Sequence, residues 1–108
     1  MIRLSTNDIK NLPSVPEEEF EIEEWGFSIL IRGINKGMQV ELGKLLRDKD
    51  TDGFDYQKEL LKVCIVEPEL DDETIQELYT KDAKVIDTIF EKINQLNGFG
   101  GSAEAEQF

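Results

Sequence analysis

The sequence predicts an α+β fold that is mainly helical, in which an N-terminal β-hairpin packs against a small bundle of about four helices. Two observations support this class. Between Glu17 and Arg32 apolar and polar residues alternate, which is the period of a strand. After Gly33 the apolar residues recur every three or four positions, which is the period of a helix. The 108 residues are enough for one domain, which we place at residues 1–97, followed by a flexible acidic tail at 98–108.

The first element is a short helix that begins at Ser5. The Ser5 side chain and the Asp8 side chain, three residues later, form a variant of the capping box, and Leu4 and Ile9 occupy the two hydrophobic-staple positions. Pro13 disfavours a helical conformation at the residue before it, so we expect only one or two turns.

The hairpin follows, with its turn at Glu24-Trp25-Gly26, where Gly26 supplies a positive φ. Six of the eight residues from Glu17 to Glu24 are glutamate. Such a run protects a sheet edge against aggregation and is typical of a solvated face. The functional alternative is that the glutamates bind a basic surface of a partner.

Four helices are predicted in the remainder of the domain, the first two joined by a turn-rich stretch from Asp48 to Asp55. The first runs from about Lys36 to Arg47 and the second from about Tyr56 to Val66. The third has Asp71 as its N-cap, and the fourth ends at the stop signal Asn97-Gly98. The last helix has the widest apolar stripe, formed by Val85, Ile86, Ile89, Phe90, Ile93 and Leu96. Cys64 lies in an apolar run, which predicts a small buried thiol.

The composition excludes several classes of function. With 24 acidic and 12 basic residues the formal charge is −12, which opposes phosphate backbones and anionic membranes, so we expect neither nucleic acid nor membrane as a partner. The chain has no histidine, so Ser–His and Cys–His nucleophile pairs and imidazole metal sites cannot form. We therefore expect a soluble protein of a reducing compartment.

One stretch, from Asp48 to Glu59, fits the spacing of a calcium-binding loop. Its ligands would be the carboxylates of Asp48, Asp50, Asp52 and Glu59 and the carbonyl oxygen of Phe54. Against calcium, the eighth position is Asp55, where EF-hand loops have a branched apolar residue, and the chain has a single loop of this kind. A calcium-binding helix–loop–helix protein is therefore the alternative function, and a solvated acidic loop is the simpler interpretation. A third possibility is an acidic mimic of nucleic acid that occupies a basic protein groove.

A series of short motifs covers nearly the whole chain and keeps a defined order. It consists of Leu4-Ser5-Thr6-Asn7-Asp8-Ile9, Glu24-Trp25-Gly26, Ile31-Arg32-Gly33-Ile34, Val66-Glu67-Pro68-Glu69-Leu70, an acidic-capped helix with Leu78, Asp82-Ala83 leading into Ile86, Ile89 and Ile93, and Leu96-Asn97-Gly98. In this order the motifs resemble the tail assembly chaperones of long-tailed phages and prophages of Gram-positive bacteria. The calcium-like loop is not part of that resemblance.

The resemblance implies a chaperone without enzymatic activity or cofactor. It would bind the tape measure protein, a long apolar helical chain, and keep it soluble while tail tube subunits assemble around it. The implied partners are the tape measure protein, the tail tube protein and a longer form of the same chain made by translational frameshift. The implied location is the cytoplasm of the bacterial host. A homo-oligomer is compatible with this role, although the sequence sets no stoichiometry.

A chaperone of this kind needs apolar side chains that a small core leaves accessible. The candidates for contact with the client are Trp25, Phe27, Ile86, Ile89, Phe90 and Ile93. For each of these residues, packing in the core is the alternative interpretation.

Overall fold

The computed structural model of the protein describes residues 1–98, which form five helices and one three-stranded antiparallel sheet. The elements are α1 (Thr6–Ile9), β1 (Glu17–Ile22), β2 (Phe27–Arg32), α2 (Lys36–Arg47), α3 (Gly53–Cys64), β3 (Ile65–Glu67), α4 (Asp72–Leu78) and α5 (Ala83–Leu96). The predicted α+β class, mainly helical with an N-terminal hairpin, is confirmed. The predicted flexible tail at 98–108 lies outside the described residues, except for Gly98.

The hairpin forms where the alternation of apolar and polar residues predicts it. β1 and β2 pair antiparallel, with Ile22 opposite Phe27, and Gly26 in the turn has a φ of 70°. The inner face of the sheet contributes Ile22 and Ile31 to the core. The outer face is coated by exposed glutamates of β1, so most of the glutamate run forms a solvated face. Glu18, on the inner face, forms an ion pair of 2.6 Å with Lys92 of α5.

The third strand is not predicted by the sequence pattern, which extends the preceding helix to Val66. In the structure α3 ends at Cys64, and Ile65 pairs with Ile31 of β2. A short apolar run fits a helix and a strand equally well by its period. The neighbouring strand decides the conformation of this run, because the edge of β2 offers hydrogen bonds that only an extended segment can form.

The helix ends agree with the sequence signals, with one further exception. Ser5 and Asp8 form the predicted capping box of α1, Asp71 caps α4, and Gly98 follows α5 with a φ of 85°. The exception is α3, which begins at Gly53, three residues earlier than predicted, because Asp52 forms its N-cap.

The core lies between the inner face of the sheet and the helices. It contains twelve buried side chains, namely Ile22, Ile31, Leu42, Leu60, Leu61, Cys64, Ile65, Ile75, Val85, Ile86, Ile89 and Ile93. Cys64 is fully buried and unpaired, as predicted. Among the described residues, no helix is long and apolar enough to cross a membrane.

Candidate functional site

An apolar pocket lies where the hairpin turn, the end of β3, α4 and α5 meet. Its volume is about 280 Å³, and Ser28 is the one polar residue among those that line it. The apolar lining consists of Trp25, Phe27, Ile29, Ile65, Pro68, Leu70, Leu78 and Ile89. Pockets for small molecules range from roughly 300 to 1,000 Å³, so this one has room for apolar side chains rather than for a large cofactor. We refer to it as the Trp25 pocket.

The hairpin turn places two aromatic side chains at the opening of the Trp25 pocket. The backbone N–H groups of Trp25 and Gly26 both donate to the carbonyl oxygen of Ile22, at 3.1 and 3.0 Å, which holds the turn closed. The Trp25 side chain is half-buried and packs against the core. Phe27 shares the inner face of β2 with buried Ile31, yet 75% of it is exposed. An inner-face aromatic residue is thus left uncovered in the described part of the chain.

The opposite wall is formed by the connection from β3 to α4 and by α4 itself. Pro68 and Leu70 come from the connection, in which the Glu67–Pro68 peptide bond is cis, and Leu78 comes from the end of α4. The Asp71 carboxylate fixes the start of α4, because its Oδ1 accepts from the Thr74 N–H at 2.8 Å and from the Thr74 hydroxyl at 2.6 Å. These hydrogen bonds lower the pKa of Asp71.

A second contact fastens α4 to α3 from the side. Asp72, in the first turn of α4, forms an ion pair with Lys62 of α3. The hydrogen bond from Lys62 lowers the pKa of the Asp72 carboxyl, and the same contact raises the pKa of Lys62. The Asp72 side chain is exposed and the Lys62 side chain is half-buried, so solvent screens the pair, which orients α4 more than it stabilises the fold.

The structure brings three of the six predicted contact residues together. Trp25 and Phe27 lie at the opening of the Trp25 pocket, and Ile89 lies at its floor. Ile86 and Ile93 are buried, so both side chains pack in the core and do not reach the pocket. Phe90 is half-buried and packs against the core outside the pocket lining.

The sequence pattern does not identify the wall opposite the aromatic residues. Ile65, Pro68 and Leu70 reach the pocket because β3 pairs with β2, and that pairing is not predicted. The available signal was the break at Pro68 directly after a short apolar run, which is also typical of the end of a strand.

The pocket offers burial of apolar surface and no acid–base chemistry. Within residues 1–98 its lining contains no titratable side chain, so it supplies no general acid or base. Burying an apolar side chain there would gain about 25 cal/mol per Å² removed from water. The adjacent turn residues Glu23 and Glu24 are exposed. This arrangement suits the binding of a hydrophobic segment of another protein.

The Asp48–Glu59 loop does not have the geometry of a calcium site. Because α3 begins at Gly53, Phe54 is part of the first helical turn, and its ring packs edge-on against Tyr79 at a centroid distance of 4.9 Å. Glu59 is in the same helix, where its Oε1 lies 3.5 Å from Nζ of Lys62.

Two aspartate side chains of this loop accept hydrogen bonds from the backbone. Oδ1 of Asp48 accepts from the N–H of Asp50 at 3.0 Å, and Oδ1 of Asp52 accepts from the N–H of Asp55 at 2.9 Å. In the part of the chain that the structure describes, no three acidic or cysteine side chains are grouped so that they could hold a metal ion. The carboxylates of Asp48 and Asp52 therefore act as caps of a turn and of α3.

Compared with known proteins, the chain matches no family model, no curated protein and no solved structure.

Proposed function

We propose that this protein is a non-enzymatic tail assembly chaperone, which binds the tape measure protein of a phage or prophage and keeps it soluble during tail tube assembly. The observation that carries the proposal is the Trp25 pocket, an apolar site with an uncovered aromatic residue, on a chain with a formal charge of −12. A chaperone that holds an apolar client needs both features, because apolar surface binds the client and charge keeps the complex in solution.

The motifs behind the resemblance supply five of the nine residues that line the Trp25 pocket. Trp25 comes from Glu24-Trp25-Gly26, Pro68 and Leu70 come from Val66-Glu67-Pro68-Glu69-Leu70, and the helix motifs add Leu78 and Ile89. These segments are distant in sequence and meet at one surface site. Their convergence supports the proposal, because a shared binding site gives a physical reason for the series of motifs.

The shape of the site suits a helical client. An amphipathic helix presents apolar side chains at positions i, i+3, i+4 and i+7, and such side chains insert into apolar grooves as anchors. In this arrangement one anchor enters the Trp25 pocket, and Phe27 covers the neighbouring turn of the helix. The exposed glutamates of β1 stay in water and prevent bound complexes from aggregating.

The test measures how well the protein prevents aggregation of a purified tape measure segment that is diluted out of denaturant. We expect Phe27→Ala to weaken binding of the segment about tenfold or more, because a central aromatic anchor contributes about 2 kcal/mol. The matched control is Leu46→Ala on α2, which removes another exposed apolar side chain, outside the pocket lining, and should retain full activity.

The double variant Trp25→Ala, Phe27→Ala should lose more of the holding activity. Since Trp25 also packs against the core, its melting temperature is measured alongside, and the Phe27 single variant separates binding from stability. Equal protection by wild type and Phe27→Ala would contradict the proposal.

Binding that collapses at high salt would favour the acidic mimic, because apolar contacts are not screened. A gene without a frameshift site at its end and without a long helical reading frame downstream would also contradict the chaperone function.

A further inference from the structure

The outer edge of β1 is open. The strand order is β1-β2-β3, so β1 pairs with β2 on one side, and in the part of the chain that the structure describes no strand lies on its other side. β1 has six residues, Glu17–Ile22, which is the usual length of a strand in a globular protein. An open edge of this length presents unpaired backbone groups to which an extended segment of another protein can bind.

The register of the hairpin determines which backbone groups face this edge. The N–H of Gly33 donates to the carbonyl oxygen of Pro16 at 2.9 Å, and these two residues continue the β1–β2 register as a hydrogen-bonded pair. Hydrogen-bonded and non-hydrogen-bonded pairs alternate along an antiparallel ladder, so every second residue of β1 directs its N–H and C=O groups away from β2. Those residues are Glu17, Glu19 and Glu21.

The side chains of Glu17, Glu19 and Glu21 form a row of carboxylates on the outer face of the sheet. All three are exposed, and residues two apart in a strand lie about 7 Å from one another. Within residues 1–98 none of the three forms an ion pair. Arg32 lies opposite Glu17 but donates from its Nε to the carbonyl oxygen of Val63 at 2.8 Å. An added strand with basic side chains at alternate positions would supply the missing cations.

The inner side of the same edge has an apolar pocket. It has a volume of about 460 Å³, lies between β1 and the start of α5, and has Phe20, Ile22 and Val85 as its apolar walls. The remainder of the lining is Thr88 and glutamates of β1 and of the turn. Because the lining contains no residue of β2, the pocket opens at the free side of β1. We call it the edge pocket. Side chains on the inner face of an added strand would enter it.

The charge of the edge selects the kind of strand that can bind there. β1 of a second copy would place glutamates opposite glutamates, and like charges directly opposite each other are destabilising. A strand with lysine or arginine at alternate positions is attracted instead. Since exposed ion pairs contribute little energy, backbone hydrogen bonds and the burial of apolar side chains supply most of the affinity, and the charges set register and selectivity.

We propose that the open edge of β1 binds an extended segment of another protein in which basic and apolar residues alternate. The segment adds a fourth strand to the sheet. Its basic side chains lie beside Glu17, Glu19 and Glu21, and its apolar side chains enter the edge pocket and contact Phe20. The edge pocket shares no lining residue with the Trp25 pocket, so this inference does not depend on the proposed chaperone function.

The first test measures amide hydrogen exchange of the full chain with and without a short synthetic peptide in which lysine and valine alternate. In the free protein the N–H groups of Glu19 and Glu21 should exchange fast, because they face water. With about nine-tenths of the protein bound, their exchange should slow about tenfold, because only the free form exchanges. The N–H of Phe20 faces β2 and is the internal control, which should change little. Unchanged exchange at Glu19 and Glu21 would overturn the proposal.

The second test exchanges the charges and measures affinity by fluorescence anisotropy of the labelled peptide. Glu19→Lys with Glu21→Lys should weaken binding of the lysine peptide about tenfold or more, and this variant should bind a peptide in which glutamate replaces lysine. The matched control is Glu77→Lys with Glu91→Lys, which makes the same change in net charge at exposed helical positions and should bind the lysine peptide like wild type. A control that loses as much affinity would indicate attraction to the net charge alone and would overturn the proposal.

The third test uses the wild-type chain and distinguishes strand addition from charge attraction without any variant that has to fold. Two peptides of identical charge carry N-methyl groups, one on its lysine amides and the other on its valine amides. Only every second amide of an added strand faces β1, so one of these peptides should lose binding and the other should retain it. Equal affinity of the two peptides would show that no backbone hydrogen bonds form at the edge, and it would contradict the proposal.

Discussion

The side-chain oxygen Oδ1 of Asn97 accepts a hydrogen bond of 2.7 Å from the backbone N–H of Ile34, 63 residues earlier in the chain. The amide of the same side chain donates to the carbonyl oxygen of Ile93 at 3.0 Å. Asn97 therefore fastens the end of α5 to the segment between β2 and α2. Gly33 allows this close approach, since a Cβ there would lie 3.0 Å from Oδ1 of Asn97 and 3.3 Å from Cδ of Pro16, closer than ordinary van der Waals contact.

Asn97→Ala should lower the free energy of unfolding by about 1–2 kcal/mol, because it leaves the partly buried N–H of Ile34 without its acceptor. Urea denaturation monitored by circular dichroism measures the change. Gln95→Ala is the matched control, because Gln95 is exposed and lies two residues away on the same helix end. Equal stability of the two variants would show that the hydrogen bond does not contribute.

Elements with local signals are those that the sequence predicts well. The capping box at Ser5, the turn at Gly26 and the stop at Asn97-Gly98 each depend on residues within one turn of the chain, and the structure confirms all three. β3 is different, because its conformation is decided by hydrogen bonds to β2, which lies more than thirty residues earlier. A pattern of apolar residues contains no information about such a partner.

The same distinction between local and long-range signals explains which residues of the candidate site the sequence predicts. Trp25 and Phe27 are candidates for contact because the local pattern places them at the tip of a hairpin. The wall with Pro68 and Leu70 follows only from the placement of β3 and α4. On α5 the periodicity identifies one apolar face, but it cannot distinguish two buried residues of that face, Ile89, which lines the pocket, and Ile93, which does not.

Cys64 should resist alkylation in the folded protein. Burial raises the pKa of its thiol to about 11, and the nearby Arg32 offsets only part of this effect. At pH 8 the reactive thiolate is therefore scarce, and the surrounding core blocks access to the sulfur. Mass spectrometry after iodoacetamide treatment should find little labelling in buffer and rapid labelling in urea. Rapid labelling of the folded protein would show that Cys64 is accessible.

Stability should fall at alkaline pH because of Tyr56. Burial raises the pKa of the Tyr56 phenol to about 12 from an ordinary value of 10.0. Since the folded state holds this proton more tightly than the unfolded state, the stabilisation is fully present below pH 10 and is lost as the pH rises through 12. Thermal melts between these values measure the loss. In Tyr56→Phe the decline should be shallower, whereas an unchanged decline would assign it to other groups.

Asp52→Ala should destabilise the protein by about 1 kcal/mol, because the Asp52 side chain caps α3 through its bond to the N–H of Asp55. Asp50→Ala is the matched control, since Asp50 is exposed and contributes to the local hydrogen bonds through its backbone N–H.

A calcium loop would behave differently, because both Asp50 and Asp52 would be ligands. We expect millimolar calcium to leave the melting temperature and the amide shifts of residues 48–59 unchanged. A calcium-dependent rise in melting temperature that both variants abolish would reinstate the calcium-binding alternative.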